Sequence, residues 1–314
     1  MVHETVMTQV SAMILAAGIG SRLEPLTSWK PKALMPLGDR PLLARLALHL
    51  REGGIGALVV NAHHHAEAIA KYVHDTRTEL GAIGVSHELD LLGTAGGVAQ
   101  ARLLLGVGPT LIWNGDIVAE IDVRGLVRAH EASRSQATLV VKIAEKNAGN
   151  VGIDENGKVV RLRQETTAPG EISGGFFLGV HVLGQRLRDA LPEVGCLVGD
   201  VYLPALRRGE RLAVHPHRAE FSDIGTPASY LDANLAWLRM RGERSWIGAT
   251  AVVESAVQVL SSVVGEGAIV TGAGILEQCV IWPGATLDTN LNAPSPARYF
   301  RQVVTPSGTL DLSR

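Results

Sequence analysis

The sequence lacks the features that mark several large classes of protein. Its two cysteines, Cys196 and Cys279, lie far apart without CxxC or Cys/His spacing, which indicates neither a disulfide framework nor a zinc site. Its apolar runs all fall short of the ~20 residues that span a membrane. The net charge of −2 gives no basic excess for nucleic acid. We therefore expect a folded protein that binds neither nucleic acid nor a membrane.

The polar N-terminal stretch MVHETVMTQV is too short for a signal peptide, so a cytoplasmic location is expected.

A further absence concerns LAAGIGSRLEPLTSWKPKALMPLG, residues 15–38. A dinucleotide-binding loop needs a third glycine where this loop has Leu23, and a P-loop needs Gly-Lys-Ser/Thr, which is missing. Both a dehydrogenase and a P-loop enzyme are therefore disfavoured.

What the chain has is 46% hydrophobic residues and a regular alternation of predicted strands and helices. The first half alternates strands at 10–15, 57–62, 83–87 and 110–114 with helices at 41–52, 66–77 and 95–105. This pattern predicts an α/β fold with a mixed, mostly parallel sheet flanked by helices, of Rossmann-like type. The quoted loop, the LLGTAGG segment and the NGD segment should then emerge at the carboxyl edge of the sheet.

The second half changes character twice. Shorter strands are expected at 138–143, 151–154, 158–163, 174–182 and 211–217, followed by a helix at 227–240. Later, apolar residues recur every six positions with one slip, at Ile247, Val253, Val259, Val264, Val270, Leu276 and Trp282. This repeat favours a short parallel β-helix over a β-hairpin domain. We predict a catalytic domain at 1–242, with a nucleotide half near 8–135 and a sugar-facing half near 136–242, and a partial β-helix with a tail at 243–314.

The loop itself carries the first chemical signal. Gly18 and Gly20 leave backbone N–H groups free to face an anion, and Arg22 and Lys32 follow in a segment stiffened by prolines. The chain has only six lysines against 23 arginines, so a lysine in this frame is informative. Two cations beside backbone donors predict a polyphosphate site.

Two aspartates supply the second signal. Asp116 follows an apolar strand in LIWNGD, and Asp223 lies in FSDIGTP just before the last helix. Mg²⁺ is usually held by one or two carboxylates together with substrate phosphate oxygens. Either aspartate alone could equally cap a helix or a turn. Together they predict a magnesium site.

These motifs resemble the sugar-1-phosphate nucleotidyltransferases, or NDP-sugar pyrophosphorylases. LAAGIGSRLEPLT with PKALMPLG is similar to the family signature, and GTAGG, WNGD, NVGI and DIGTP follow in family order. The resemblance implies the nucleotide-diphospho-sugar transferase fold and a Mg²⁺-dependent reaction between a nucleoside triphosphate and a sugar 1-phosphate. It also implies a short C-terminal left-handed β-helix, through which the chain could form homo-oligomers.

The resemblance assigns roles to individual residues. Those implied to bind the nucleotide are Ala17, Gly18, Gly20, Ser21, Gly93, Thr94 and Gly97. Those implied to act in catalysis are Arg22, Lys32 and Asp116, and the metal ligands are Asp116 and Asp223. Those expected to bind the sugar phosphate are Asn114, Gly152, Arg163, Gly174 and Gly175.

One departure concerns the sugar phosphate. The family usually has Glu-Lys-Pro where this chain reads Arg163-Gln164-Glu165-Thr166, so Arg163 or Arg161 is expected to replace the lysine.

We expect GTP and a mannose- or heptose-type sugar, with a uridylyltransferase acting on a glucose or amino-sugar 1-phosphate as an alternative. A non-catalytic nucleotide-sugar-binding regulator is the second alternative. The β-helix is expected to be structural or regulatory, since no histidine follows His217 to serve as an acyltransferase base.

Overall fold

The computed structural model describes residues 10–290 and 297–313, which form two compact units. The first unit comprises residues 10–19 and 46–221, and the second comprises residues 20–45 and the described residues from 222 onward. The N-terminal stretch discussed above lies outside the described residues except for Val10. The functional division at residue 242 stays a prediction.

The helices differ widely in length, and two short 3₁₀ turns (Ser21–Leu23 and Lys32–Leu34) and one π-helical segment (Leu197–Tyr202) accompany them. In chain order the α-helices are α1 (Leu26–Trp29), α2 (Leu42–Glu52), α3 (Ala66–Asp75), α4 (Arg77–Leu80), α5 (Gly93–Gln100), α6 (Arg102–Leu105), α7 (Val123–Ser133), α8 (Gln185–Asp189), α9 (Leu203–Arg207) and α10 (Pro227–Met240).

The strands up to the last helix are β1 (Ser11–Leu15), β2 (Pro36–Leu37), β3 (Arg40–Pro41), β4 (Leu58–Ala62), β5 (Ile83–His87), β6 (Thr110–Asn114), β7 (Ile117–Ala119), β8 (Ala137–Ala144), β9 (Val151–Ile153), β10 (Val159–Leu162), β11 (Glu165–Thr166), β12 (Ser173–Leu183), β13 (Leu212–His217) and β14 (Phe221–Asp223). The strands after it are β15 (Trp246–Ile247), β16 (Val252–Val253), β17 (Val257–Leu260), β18 (Val263–Val264), β19 (Ile269–Thr271), β20 (Gly274–Glu277), β21 (Val280–Ile281), β22 (Thr286–Asp288), β23 (Ala297–Phe300), β24 (Gln302–Thr305) and β25 (Gly308–Asp311).

The first unit is built on one mixed sheet in the order β11-β10-β9-β12-β6-β1-β4-β5, with β8 paired to β12 and β13 paired to β8. Strands β6, β1, β4 and β5 are parallel to one another. Strand β12 runs antiparallel to β6, β8 and β9. The α/β fold with a mixed sheet is confirmed. The four parallel strands β1, β4, β5 and β6 fall within the predicted nucleotide half, and a further parallel pair, β8 with β13, lies outside it.

Apolar runs explain why these strands form the centre. Residues 10–14 and 58–62 are buried throughout, as expected for parallel strands covered on both faces. The helix expected at 95–105 is interrupted at Ala101, which separates α5 from α6. Helix α7 was missed, although Asp122 accepts a hydrogen bond from Gly125 N (2.8 Å) as its N-cap.

The second unit contains residues 20–38 of the signature loop, the name used here for LAAGIGSRLEPLTSWKPKALMPLG (residues 15–38), together with α10 and the C-terminal strands. Within the described residues these strands form three short sheets, β15-β18-β21-β24-β25, β16-β19-β22 and β17-β20-β23, whose strands pair in parallel except for β25, which is antiparallel to β24. Trp246 pairs with Val263, and Val263 pairs with Val280, so these two circuits take 17 residues each, whereas Val280 pairs with Val303 and the next circuit takes 23. The one-residue shift of the six-residue repeat, predicted once between Val259 and Val264, therefore occurs a second time. As a result Val264 pairs with Ile281, and not with Trp282 as the repeat predicts.

Candidate active site

The carboxyl ends of four parallel strands meet at one edge of the main sheet. Leu15 of β1 lies beside Asn61 of β4 and Asn114 of β6, and Asn61 lies beside Ser86 of β5. Gly115 N donates to Leu15 O (2.9 Å), which holds the NGD turn against the end of β1. The loops that carry Ala17, Gly18, Gly93 and Asp116 in the first unit therefore leave from this edge, as the pattern predicts.

A buried pair of polar side chains links two of these loops. Asn61 Oδ1 accepts from Ala16 N (2.7 Å), and Asn61 Nδ2 donates to Glu88 Oε1 (2.6 Å). Glu88 Oε2 accepts from Leu92 N (3.2 Å) just before the LGTAGG segment. Asn61 is 3% exposed and Glu88 1% exposed, so both side chains act on the backbone of the loops. The sequence analysis missed Glu88, which no local pattern marks.

The LGTAGG segment packs against residues 193–197. Gly93 has φ of 72°, and a Cβ at this position would lie 2.4 Å from Gly195 O. Thr94 Oγ1 accepts from Leu197 N (2.8 Å). A Cβ on Gly97 would lie 2.5 Å from Glu88 Oε1. Glycine is therefore required at both positions by the protein's own packing.

The residues expected to meet the sugar lie together on neighbouring strands. Gly152 of β9 pairs directly with Gly174 of β12, and Gly175 pairs with Val151. Asn114, at the end of β6, lies against Gly179 in a bulge of β12, since a Cβ on this glycine would lie 2.3 Å from Asn114 Nδ2. Bulges of this kind often redirect side chains near binding sites.

All three nitrogen atoms of the Arg161 guanidinium donate hydrogen bonds to other groups of the protein. Its guanidinium forms a double hydrogen bond with Glu171, with Nε–Oε2 of 2.9 Å and Nη2–Oε1 of 3.0 Å, and donates to carbonyl oxygens of neighbouring loops, including Gly149 O (3.1 Å). Both side chains are nearly buried. The hydrogen bond from Arg161 lowers the pKa of Glu171. Arg161 therefore braces β10 and leaves little donor capacity for a phosphate.

Arg163, by contrast, is exposed at the end of β10. Its backbone has φ of 57°, and Arg163 N donates to Asn150 O (2.7 Å). Its Nη2 reaches the Sγ atom of Cys196 (3.4 Å). Of the two arginines left open by the sequence, Arg163 is therefore the better candidate for a phosphate.

In the second unit the signature loop begins with a left-handed glycine. Gly20 (φ 71°) precedes the 3₁₀ turn at Ser21, and its carbonyl accepts from Thr27 Oγ1 (3.1 Å). A Cβ on Gly20 would lie 3.9 Å from Lys32 Cδ, so the lysine chain passes this turn. Leu23, which stands where a dinucleotide loop has glycine, is fully buried.

Arg22 and Asp223 flank the same backbone in this unit. A Cβ on Gly225 would lie 3.3 Å from Arg22 Nη2 and 3.5 Å from Asp223 Oδ1. Both side chains belong to exposed residues. The helix cap of this motif is Thr226, whose Oγ1 accepts from Ser229 N (3.1 Å), so Asp223 does not have that role. The guanidinium and the carboxylate therefore share one exposed surface next to a glycine.

Helix α10 holds the second half of the signature loop. Tyr230 OH donates to Pro36 O (2.6 Å), and Asn234 Oδ1 accepts from Gly38 N (2.9 Å). Gly38 (φ 62°) lies so close to Trp237 that a Cβ there would be 2.3 Å from the indole ring. These contacts fix the loop that carries Lys32.

The described residues contain no group of three His, Cys, Asp or Glu side chains that could hold a metal ion. The run His63 to His65 forms a turn, with His65 at φ 56° and His63 Nδ1 at 3.0 Å from Glu88 O. One or two carboxylates completed by substrate phosphate oxygens are the donor set typical of Mg²⁺, whereas protein zinc sites usually include His or Cys ligands. Asp116 and Asp223 fit that donor set by their chemistry.

Comparisons with known proteins identify the family of the chain. The family model described as "Nucleotidyl transferase" matches residues 11–239. A probable mannose-1-phosphate guanylyltransferase of rice is 27% identical over 281 residues, covering 87% of this chain and 75% of the relative. The mannose-1-phosphate guanylyltransferase of Mycobacterium tuberculosis is 26% identical over 296 residues, covering 89% of this chain and 82% of the relative.

A solved structure shares the fold. HddC from Yersinia pseudotuberculosis, whose crystal structure is described as complexed with GMP-PN, superposes with a TM-score of 0.61 at 21% identity. The match covers 73% of this chain and 99% of that protein. Among the described residues, no helix is both long and apolar enough to cross a membrane.

Proposed function

Because the chain belongs to the nucleotidyl transferase family, we propose that it joins a nucleoside triphosphate to a sugar 1-phosphate, giving an NDP-sugar and pyrophosphate. We propose GTP as the nucleotide and a mannose- or heptose-type 1-phosphate as the acceptor. Relatives of this chain in plants and bacteria are named mannose-1-phosphate guanylyltransferases, which supports GTP over UTP and an enzyme over a binding-only regulator. A uridylyltransferase is the alternative for the base.

The grouping of Gly20, Arg22, Lys32 and Asp223 in one compact unit is the observation that carries the proposal. In this reaction a sugar-phosphate oxygen attacks the α-phosphorus in line and pyrophosphate leaves, so no protein nucleophile is required. Arg22 and Lys32 neutralise the negative charge of the triphosphate while the backbone beside Gly18 and Gly20 orients it.

In the first unit, we propose that the LGTAGG segment binds the base of the nucleotide through Gly93, Thr94 and Gly97. We propose that Asn114, Gly152 and Gly174 with its neighbour Gly175 contact the sugar, and that Arg163 binds its phosphate. The full hydrogen bonding of Arg161 supports the choice of Arg163. Ala17 and Ser21 contribute backbone groups to the phosphate loop.

Asp116 and Asp223 are the metal ligands in this proposal, with Mg²⁺ as the ion, and Asp116 is also assigned to catalysis. When bound, Mg²⁺ would withdraw charge from the phosphate oxygens and stabilise the leaving pyrophosphate. The chain's own part is to present carboxylate oxygens at the end of β6 and at the end of β14.

We further propose that residues 243–314 form a partial left-handed β-helix that follows a catalytic domain at 1–242. The three short, mostly parallel sheets and the two 17-residue circuits support this assignment. A role of the β-helix in homo-oligomer formation belongs to the same proposal, as does a location in the cytoplasm.

A substrate panel tests the function directly. The full chain is incubated with MgCl₂, with GTP, UTP, dTTP or ATP, and with mannose, glucose, N-acetylglucosamine or heptose 1-phosphate, and pyrophosphate release is measured. We expect the highest rate with GTP and mannose or heptose 1-phosphate. Faster turnover with UTP would replace guanylyl by uridylyl transfer, and no pyrophosphate from any pairing would refute the proposal.

Single substitutions test the two cations. We expect Arg22→Ala and Lys32→Ala each to lower kcat roughly 10²- to 10³-fold, because each removes a charge that stabilises the developing transition state. Arg77→Ala and Lys71→Ala, at exposed positions of α4 and α3, serve as matched controls that keep full activity. Far-UV circular dichroism should be the same for all four variants. Unchanged kcat in Arg22→Ala and Lys32→Ala would remove the loop from the mechanism.

A further inference from the structure

Arg163 is held in an unusual backbone conformation. Its φ of 57° lies in the left-handed region, which costs a residue with a Cβ about 1 kcal/mol or more. Arg163 N donates to Asn150 O (2.7 Å), and Arg161 Nη1 donates to Arg163 O (3.1 Å). Two hydrogen bonds therefore fix the backbone on both sides of the Arg163 Cα atom. Strained residues that are held in this way are often found where a side chain must point in one direction.

The side chain of Arg163 ends at Cys196. Its Nη2 lies 3.4 Å from Cys196 Sγ, and a Cβ on Gly199 would lie 3.5 Å from its Nη1. The main chain of Cys196 is fixed as well, because Cys196 N donates to Asp200 Oδ2 (2.7 Å). The backbone of Cys196 is thus fixed directly before the π-helical segment Leu197–Tyr202.

Several hydrogen-bond donors surround the same sulfur. Burial raises the pKa of the Cys196 thiol, but hydrogen bonds from Gly199 N and Val198 N, the charge of Arg163 and the hydroxyl of Thr94 together lower it below its usual value. The other cysteine behaves in the opposite way, since burial raises the pKa of Cys279 to about 11. Of the two cysteines, Cys196 is therefore the one whose surroundings lower the pKa of its thiol.

The contacts of Cys196 join two parts of the proposed active site. Thr94 belongs to the segment assigned to the base, and Arg163 is assigned to the sugar phosphate. A sulfur that accepts a hydrogen bond from Arg163 Nη2 would fix the guanidinium before the substrate arrives, which reduces the ordering cost of binding.

We propose that Cys196 is a positioning residue, whose sulfur holds the Arg163 guanidinium in the direction needed to bind the phosphate of the sugar 1-phosphate. This inference rests on the proposed function, because the phosphate is that of the acceptor substrate. No covalent step is involved. Cys196 acts through Arg163 and does not touch the reacting atoms.

Steady-state kinetics provide the first test. We expect Cys196→Ala to raise KM for the sugar 1-phosphate roughly tenfold, the size of one hydrogen bond to a charged group, with little change in kcat or in KM for the nucleotide. Arg163→Ala should raise the same KM at least as much, and the double variant should be no worse than Arg163→Ala alone. Cys196→Ser, which keeps a hydrogen-bonding atom, should restore part of the affinity. Additive effects of the two alanine substitutions would overturn the proposal.

A second measurement does not need turnover. The full chain is alkylated with iodoacetamide across a pH series, and the modification of each cysteine is followed by peptide mass spectrometry, with buried Cys279 as the internal reference. The charged or ionisable groups near the thiol are Arg163, Asp200 and Tyr202. We expect the midpoint for Cys196 to lie below that of an ordinary thiol, to rise in Arg163→Ala and to stay low in Arg163→Lys.

The two tests separate two kinds of failure. An unchanged midpoint in Arg163→Ala would overturn the pairing of Cys196 with Arg163 even if the enzyme turned over every expected substrate. A shifted midpoint in a protein that releases pyrophosphate from no substrate pair would support the pairing while refuting the proposed function.

Discussion

Gly18 lies beside open space, whereas most glycines of the loops near it are packed against protein. No heavy atom of the described residues lies within 4 Å of a Cβ built at Gly18, and its φ is not in the left-handed region. Gly18→Ala should therefore leave the free energy of unfolding unchanged. If the glycine serves to let a phosphate approach the backbone, the same change should lower kcat/KM about tenfold or more.

Urea unfolding and pyrophosphate release from the same preparation measure both effects of Gly18→Ala. Gly56→Ala is the matched control, since its Cβ also meets open space and Gly56 lies outside the loops assigned to substrate. We expect the control to keep both stability and activity. Full activity in Gly18→Ala would show that no ligand approaches this position closely.

Gly97 presents the opposite case, because its surroundings are filled by a buried pair. A Cβ there would lie 2.5 Å from Glu88 Oε1 and 2.8 Å from Asn61 Nδ2. Alanine usually favours a helix, yet Gly97→Ala should destabilise the protein by about 1–3 kcal/mol, since the pair must move. Urea unfolding against Gly56→Ala measures the difference, and a more stable Gly97→Ala protein would contradict the rigid pairing of Asn61 with Glu88.

The motif residues of the candidate site could be found from the sequence because glycines, cations and aspartates stand in ordered groups after strands. Their supporting partners could not. Glu88, Glu171 and Cys196 are single polar residues without a local pattern, and each gains its role from a distant partner in the fold. Arg161 and Arg163 looked equivalent in sequence, and only the double hydrogen bond to Glu171 separates them.

At the scale of elements, strand β12 has a buried histidine that makes stability depend on pH. His181 is 2% exposed, neither ring nitrogen has a hydrogen-bond partner among the described residues, and burial lowers its pKa from 6.5 to about 3. Below pH 6.5 the His181 imidazole therefore binds a proton in the unfolded chain, whereas in the folded chain it stays neutral down to about pH 3. Stability should fall as pH drops through this window, with full stability above it.

The variant His181→Leu should remove this dependence. We expect the wild-type protein to lose about 2 kcal/mol more than His181→Leu when the pH falls from about 7.5 to about 5. Urea unfolding at both pH values measures the loss, and His74→Gln, at an exposed position of α3, is the matched control. Parallel losses in the wild-type protein and His181→Leu would show that His181 titrates normally in the folded state.

The elements that the sequence predicts are those with strong local patterns. Helix α10 has the predicted bounds because Thr226 caps it and Pro227 begins it. The π-helical segment Leu197–Tyr202 was not predicted, since its form depends on bonds to residues such as Thr94, which lies far away in the sequence. The sequence predicted the β-helix repeat with only one shift of the six-residue frame. A local six-residue pattern cannot show that the circuits from Trp246 to Val263 and from Val263 to Val280 each take 17 residues.

At the scale of the whole molecule, the C-terminal strands are expected to support the signature loop through α10. Leu235, Trp237 and Leu238 of α10 pack with Val263, and Trp246 lies against this group. Trp237 also contacts Gly38 in the loop that carries Lys32. We therefore expect the C-terminal strands to affect activity, because α10 connects them to the loop within one compact unit.

Removing residues 243–314 tests this support together with the predicted boundary at residue 242. The shortened chain should have a lower Tm and a lower kcat/KM, since it exposes several apolar side chains of α10, each worth about 1.5–3 kcal/mol when fully buried. Trp246→Ala should have a smaller effect in the same direction. A chain ending at Pro306 loses only β25 and serves as the control. If the shortened chain instead kept the Tm and activity of the full chain, the C-terminal strands would be independent of the catalytic loop.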